Sequence, residues 1–252
     1  MISKIEKLSE KGLVRTKNED NIITFDFIHK NENWHCLAVA DGVGGHNAGD
    51  LASSLVVDKL KELIISDFDS QQVNVIIEKT INKINNIIYK KSLENQKYKG
   101  MGTTITMALI NKNILHIGHV GDSRAYLLRD YKLDLLTQDH SIVGELVKQG
   151  KISKKEAMTH PRKNIILQAV GLEENLRVDY IRKKLIDKDI LILCTDGFSD
   201  LITEEEIEET FKNSESEVIN NLKEVIIKRG AHDNYSIIIV KWFEGECENE
   251  NN

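Results

Sequence analysis

The sequence is poor in cysteine, proline and long apolar runs, and each scarcity excludes a class of protein. Its three cysteines, Cys36, Cys194 and Cys247, are too widely spaced for a disulfide framework or a cysteine-rich metal site. The single proline is Pro161, and no Pro/Gly/Ser-rich linker or internal repeat divides the chain. No apolar run approaches the length of a membrane span, and the charged N-terminal segment is unlike a signal peptide. We therefore predict a cytoplasmic protein that does not bind membranes.

Charge and length further restrict the kinds of protein that this sequence can encode. The 252 residues carry 34 basic and 40 acidic side chains, a net charge of −6. The basic residues are scattered, which argues against a nucleic-acid partner. A chain of this length with 40% hydrophobic residues can bury a substantial core. We predict a monomer with one folded domain over residues 1–243 and a disordered acidic tail over 244–252.

Strand-like and helix-like segments alternate in blocks. Helical spacing predicts two pairs of amphipathic helices. The first pair carries Leu51, Leu55, Leu60, Leu63 and Ile64 on one helix and Val73, Ile77, Ile81, Ile84 and Ile88 on the other. The second pair begins at the capping-box residues Thr203 and Glu206 and ends at Gly230. Runs typical of strands cover 21–28, 34–40, 103–110, 114–120, 123–128, 190–194 and 235–242. This order favours antiparallel sheets with helices outside them.

Carboxylates follow the ends of several predicted strands. The most conspicuous is Asp41, which comes after an apolar run and opens the glycine-rich stretch Asp41-Gly42-Val43-Gly44-Gly45-His46. An acid at a strand end, followed by backbone that can approach a ligand closely, suits a hard cation or a phosphate. Three further aspartates stand in similar places, and a fourth lies four residues after one of them: Asp122, Asp196, Asp233 and Asp200.

Several carboxylates in one place raise one another's pKa unless cations hold them together. All-oxygen ligation, without cysteine and with little histidine, points to Mg²⁺ or Mn²⁺. A bridging carboxylate such as Asp41 could hold two such ions about 3.5–4 Å apart, as in two-metal hydrolases. Arg15 could then grip the oxygens of a phosphate.

Seven short motifs occur in order along the chain: Arg15-x-x-Asn18-Glu19-Asp20, Asp41-Gly42-x-Gly44-Gly45-His46, Gly102-Thr103-Thr104, Gly121-Asp122-Ser123-Arg124, Asp139-His140-Ser141, Thr195-Asp196-Gly197 and Asp233-Asn234. Any one of these motifs is weak evidence for a protein family, but the whole set in this order is specific. From about Gly12 to Trp242 the chain resembles the metal-dependent Ser/Thr protein phosphatases of the protein phosphatase 2C type, in their bacterial form.

The resemblance implies a set of metal ligands. Asp41 would bridge two ions, Mn²⁺ or Mg²⁺, and the Gly42 carbonyl would join one of them. Asp196 and Asp233 would complete the protein ligands of the other ion. The positions that would hold a third, weaker ion are Asp122, Asp196 and Asp200.

The resemblance also implies the fold and the remaining roles. The fold would be α+β, a four-layer α-β-β-α sandwich of two antiparallel sheets flanked by helix pairs, with residues 139–171 as a mobile flap. Arg15 would bind the substrate phosphate, and Glu19 and Asp20 would act through metal-bound water. Val43 stands where many eukaryotic relatives carry a histidine proposed as general acid, so the source of the leaving-group proton stays open.

Other chemistries fit the sequence less well. A cysteine nucleophile needs an arginine six residues on, where Cys36 and Cys194 have Gly42 and Asp200. The function that the resemblance implies is metal-dependent hydrolysis of phosphoserine and phosphothreonine by metal-activated water. The expected partners are phosphorylated proteins, namely the substrates of a Ser/Thr kinase and the kinase itself. The alternative is a non-catalytic, phosphatase-like module that regulates or binds phosphoproteins.

Overall fold

The computed structural model describes residues 2–43, 48–68, 72–214 and 216–243. Three residues of the glycine-rich motif, Gly44, Gly45 and His46, lie outside these ranges, and so does the predicted tail at 244–252. The strands are β1 (Ile2–Glu10), β2 (Asp20–His29), β3 (Glu32–Val43), β4 (Gly102–Thr103), β5 (Ile105–Asn111), β6 (Ile114–Val120), β7 (Arg124–Arg129), β8 (Lys132–Leu135), β9 (Asp179–Lys184), β10 (Ile190–Cys194) and β11 (Tyr235–Trp242). The helices are α1 (Gly49–Asp67), α2 (Val73–Glu94), α3 (Ile142–Lys148), α4 (Lys154–Met158), α5 (Asp196–Ser199), α6 (Glu204–Asn213) and α7 (Val218–Lys228), with a 3-10 turn at Gln96–Tyr98.

The strands form two antiparallel sheets. One runs in the order β1-β11-β10-β7-β8, and the other in the order β2-β3-β5-β6-β9, with the short β4 paired to β3. The register of β2 against β3 places Asp20 directly opposite Asp41. Two acids from separate motifs are thereby brought side by side at one end of the sandwich.

Three apolar clusters lie between four layers, which are two sheets and the helix pairs outside them. The sheet faces that meet are filled by side chains such as Leu37, Val39, Leu193 and Ile238. A second cluster joins α1 and α2 to the sheet that contains β3, and a third joins α6 and α7 to the sheet that contains β10. The α-β-β-α sandwich predicted from the sequence is confirmed. None of the helices in the described ranges is both long and apolar enough to cross a membrane.

Three edge strands were not predicted. The segment of β1 is charged, and a register irregularity between Ile2 and Lys4 breaks its alternation. β8 follows a turn at Asp130 and Tyr131, where both residues have positive φ although neither is glycine. β9 carries an Arg-Lys-Lys run that hides its pattern. Each strand is only partly buried, and its pairing with a neighbouring strand decides its structure.

The buried face that the sequence predicts for α1 is only partly correct. The fully buried positions are Ala52, Val56, Leu60 and Ile64, whereas Leu51, Leu55 and Leu63 lie at the margin of the cluster. The helix approaches the sheet through small residues near its start. That close approach brings it against the ends of β2 and β3.

Candidate active site

The predicted carboxylates collect at one end of the sandwich. Asp41 lies near the end of β3, and Asp122 lies in the connection from β6 to β7. Asp196 begins α5 directly after β10, and Asp233 precedes β11. Because the strands within each sheet are paired antiparallel, the strand ends that carry these acids meet at one end of that sheet. Hydrogen bonds from Thr195 and Ser236 to Asp20 join the acid-bearing ends of the two sheets.

The backbone of Asp41 is fixed by two threonines. The Asp41 N–H donates to the Thr104 hydroxyl at 2.9 Å, and the Asp41 carbonyl accepts from the Thr103 hydroxyl and the Thr104 N–H, both at 2.9 Å. Thr103 in turn exchanges two backbone hydrogen bonds with Val170, of 2.9 and 2.8 Å. The last part of the predicted flap is thus tied to the strand end that carries Asp41.

Gly42 must be glycine for steric reasons. A Cβ there would lie 2.3 Å from the carbonyl oxygen of Gly49, at the start of α1, and 2.8 Å from that of Glu19. The Gly42 N–H donates to the Glu19 carbonyl at 3.1 Å, and the Ser53 hydroxyl donates to the same oxygen. Three chain segments therefore converge on the residue whose carbonyl the resemblance makes a metal ligand.

Asp20 is almost fully buried, with 4% of its surface exposed. Its Oδ2 accepts hydrogen bonds from the Thr195 hydroxyl at 2.8 Å and the Ser236 hydroxyl at 2.7 Å, while its Oδ1 has no partner. Burial raises the pKa of Asp20 to about 7, and the negative charges of Asp196 and Asp233 add to the rise.

The other acids at the centre are similarly perturbed. Burial raises the pKa of Asp41 well above its usual range, and the charges of Asp20 and Asp196 raise it further. The pKa of Asp196 is raised to about 6, chiefly by burial, although a hydrogen bond with Asp41 offsets part of the rise. Burial, followed by the charge of Asp196, raises the pKa of Asp122. The buried Oδ1 atoms of Asp122 and Asp196 have no hydrogen-bond partner.

Asp233 is paired with Arg15. The guanidinium Nη2 lies 2.6 Å from Asp233 Oδ2, with both side chains partly exposed. The hydrogen bond to this carboxylate raises the pKa of Arg15. The neighbouring Asn234 donates to the carbonyls of Lys11 and Lys17 and accepts from the Glu19 N–H. The segment that carries Arg15 is thereby held against the start of β11.

Two more predicted site residues are paired with lysines. Asp200 stands one helical turn beyond Asp196, as predicted, and its Oδ2 accepts from Lys163 at 2.6 Å. Glu19 lies 3.9 Å from Lys17, which also binds Asp50 at 2.9 Å. In the described ranges, no three His, Cys, Asp or Glu side chains are already arranged to hold a metal ion.

The donor set nevertheless fits hard divalent cations. It is composed of oxygen only, and three of its buried carboxylate oxygens have no hydrogen-bond partner. A buried carboxylate oxygen without a partner is costly, and oxygen ligands are those that Mg²⁺ and Mn²⁺ prefer. Neither of the two cysteines in the described ranges suits a nucleophile, because Cys36 and Cys194 are fully buried and burial raises the pKa of both thiols.

The family described as Protein phosphatase 2C matches residues 15–231. The chain belongs to the protein phosphatase 2C family. A serine/threonine phosphatase, stp, of Listeria monocytogenes is 36% identical over 240 residues, which cover 92% of this chain and 93% of the relative. Membership confirms the predicted enzyme class, a protein phosphatase.

Solved structures of this phosphatase 2C family have the same fold. The serine/threonine phosphatase PstP/Ppp of Mycobacterium tuberculosis superposes with a TM-score of 0.85 at 32% identity, over 97% of this chain and all of that one. A PstP catalytic domain in complex with two manganese ions superposes with a TM-score of 0.82 at 31% identity, over 96% of this chain and 98% of that one.

The sequence did not reveal the hydroxyls and amide that position the acids. Thr195 and Asn234 are part of the phosphatase 2C motifs, but their role as partners of Asp20 and Glu19 depends on contacts across 175 and 215 residues. Ser236 belongs to no motif, and nothing in the sequence singles it out. Its hydrogen bond to Asp20 depends both on the pairing of β11 with β10 and on the packing of the two sheets, since Asp20 lies on β2 of the other sheet.

Proposed function

We propose that this protein hydrolyses phosphoserine and phosphothreonine in proteins, with two Mn²⁺ or Mg²⁺ ions and by direct attack of water on phosphorus. The observation that carries the proposal is the trio of buried, unpartnered carboxylate oxygens, one each on Asp20, Asp122 and Asp196. Such oxygens are stabilised by cations, and within the described ranges the cationic side chains near them are paired with other carboxylates.

The ligands follow from the family pattern and from the chemistry of the donor set. Asp41 and the Gly42 carbonyl would hold one ion, and Asp41, Asp196 and Asp233 the other. Asp122 and Asp200, with Asp196, would hold a third, weaker ion. When bound, such ions neutralise the carboxylates and bring the pKa of coordinated water from 15.7 to roughly 7.

The remaining residues bind and orient the substrate. Arg15 has to exchange Asp233 for the substrate phosphate, and its planar donors suit two phosphate oxygens at once. Asp233 would then be released for metal binding, so substrate capture and ligand release are linked through one guanidinium. Glu19 and Asp20 would accept hydrogen bonds from coordinated water and need not touch the ions.

The proposed partners are phosphoproteins, including the Ser/Thr kinase that phosphorylates them. A monomer is sufficient, because all the proposed ligands come from one chain. Residues 139–171 carry α3 and α4 beside the site and are proposed to act as a flap. Lys163 of this segment reaches Asp200, which supports a part in access to the site.

The test is hydrolysis of a phosphothreonine peptide, measured with Mn²⁺, with Mg²⁺ and with excess chelator. We expect phosphate release only with a divalent cation, and restoration when Mn²⁺ replaces the chelator. Activity that survives full chelation would refute the dependence on metal. Binding of the phosphopeptide without hydrolysis under every condition would favour the non-catalytic alternative.

A further inference from the structure

The loop that carries Arg15 is held rigidly. Gly12 has φ of +75°, and a Cβ there would lie 2.2 Å from the carbonyl oxygen of Asp233. The Leu13 N–H donates to the Ala231 carbonyl at 2.8 Å. Asn234 adds hydrogen bonds of 2.6 and 3.0 Å to carbonyls on either side of the loop. The segment before β11 therefore anchors the loop at Lys11, Gly12, Leu13 and Lys17.

Two apolar side chains on this rigid loop face solvent. Leu13 is 67% exposed and Val14 is 65% exposed. Neither belongs to the three apolar clusters of the fold, so their side chains contribute little to its stability. They directly precede Arg15 in the chain. Apolar groups held in place beside an anion-binding side chain are suited to contact a ligand, because the loop loses little further freedom on binding.

We infer that Leu13 and Val14 recognise apolar residues next to the phosphorylated residue of the substrate. This inference rests on the proposed function, which places the phosphate on Arg15. Consecutive Cα atoms of a substrate chain are about 3.8 Å apart across trans peptide bonds. With the phosphate on Arg15, the residues that flank the phosphorylated residue are therefore close enough to contact side chains one or two positions before Arg15. The occupant is therefore an extended substrate segment with Leu, Val or Ile flanking the phosphoresidue.

The test compares two phosphothreonine peptides of equal length and charge. One has Leu and Val beside the phosphothreonine, and the other has Ser at both positions. We expect the wild-type protein with Mn²⁺ to favour the apolar peptide about tenfold in kcat/KM, which is what burial of roughly two CH₂ groups provides. The preference should lie mainly in KM, since these contacts are equally present before and during reaction.

Substitutions on the loop should reduce the ratio for the two peptides. In each of the single variants Leu13→Ser and Val14→Ser we expect the preference to fall to about threefold or less. The conservative variant Leu13→Met should keep the preference of the wild type. The control is Ile28→Ser, which removes a side chain that is 73% exposed at the opposite end of β2 from Asp20, about 26 Å away. The control should keep the tenfold preference.

Two results would overturn the inference in different ways. If the wild type hydrolyses both peptides with equal kcat/KM, or if Leu13→Ser keeps the tenfold ratio, Leu13 and Val14 do not recognise the flanking residues and the proposed function stands. If the wild type hydrolyses neither peptide with Mn²⁺, the proposed function fails and the inference fails with it. A loop substitution that alters self-association and leaves the ratio unchanged would assign the apolar pair to contact between copies of the chain.

Discussion

Asp20 offers a test of the electrostatics of the site that does not depend on catalysis. Its carboxyl has a pKa of about 7 in the folded protein, against about 3.9 in an unfolded chain. The folded state therefore binds more protons between these values, and stability must fall as pH rises through this range. Asp20→Asn cannot ionise, so the variant should escape this part of the loss.

The magnitude follows from the two pKa values. The raised pKa of Asp20 lowers the stability of the folded state relative to the unfolded chain by about 1.5 kcal/mol at pH 5 and about 4 kcal/mol at pH 8, at 1.36 kcal/mol per pKa unit. The variant should therefore gain about 3 kcal/mol relative to the wild type between pH 5 and pH 8. The comparison between two pH values removes constant effects, such as the cost of burying an amide without a partner.

The assay is unfolding by urea at pH 5 and pH 8, in chelator, for wild type and Asp20→Asn. The matched control is Asp58→Asn, which changes an exposed aspartate of α1 and should follow the wild type at both pH values. If Asp20→Asn and the wild type lose stability in parallel from pH 5 to pH 8, the folded pKa of Asp20 is not raised, and burial and the neighbouring carboxylates do not destabilise its charged form.

Three further outcomes are expected. Asp41→Asn should fold normally but lose at least nine-tenths of turnover at saturating Mn²⁺, because it weakens the charge that bridges two ions; turnover above a tenth would show that Asp41 is not the bridge. Arg15→Ala should raise KM for phosphopeptide and leave Mn²⁺ affinity unchanged or slightly tighter in calorimetry, since Arg15 occupies Asp233; a large loss of affinity would give Arg15 a structural role. Mn²⁺ at 100 times its Kd should stabilise the wild type by about 2.7 kcal/mol and raise Tm by several degrees. In thermal melts, Asp233→Ala should lose most of that shift and Asp122→Ala should keep most of it, and equal losses would contradict the division of ligands among the ions.

The sequence predicted the layers well because their signals are local. The Ile77, Ile81, Ile84 and Ile88 stripe of α2 is buried as predicted, and the capping box at Thr203 is present. Strands with two buried faces or clear alternation were also found. The edge strands β1, β8 and β9 were missed because much of their surface faces water, and partner strands from distant parts of the chain decide their pairing.

The sequence predicted which acids meet at this end of the sandwich, and it did not predict their hydrogen bonds. Ordered motifs identify Asp41, Asp196 and Asp233, since each combines an acid with a turn at a strand end. That Arg15 rests on Asp233, and that two hydroxyls share one oxygen of Asp20, depends on the register of strands far apart in sequence. Motif spacing carries no information about such contacts.

The hydrogen bonds between Thr103 and Val170 have a consequence for how the molecule opens. They join the end of the 139–171 segment to the same strand pair that holds the backbone of Asp41. Local unfolding there has to break both sets of bonds together, so the amides of Thr103, Thr104 and Val170 belong to one cooperative unit. An ion held by Asp41 would slow hydrogen exchange at Val170, a residue it does not touch. A partner protein that displaced the segment would, by the same linkage, lower the affinity of Asp41 for an ion bound there.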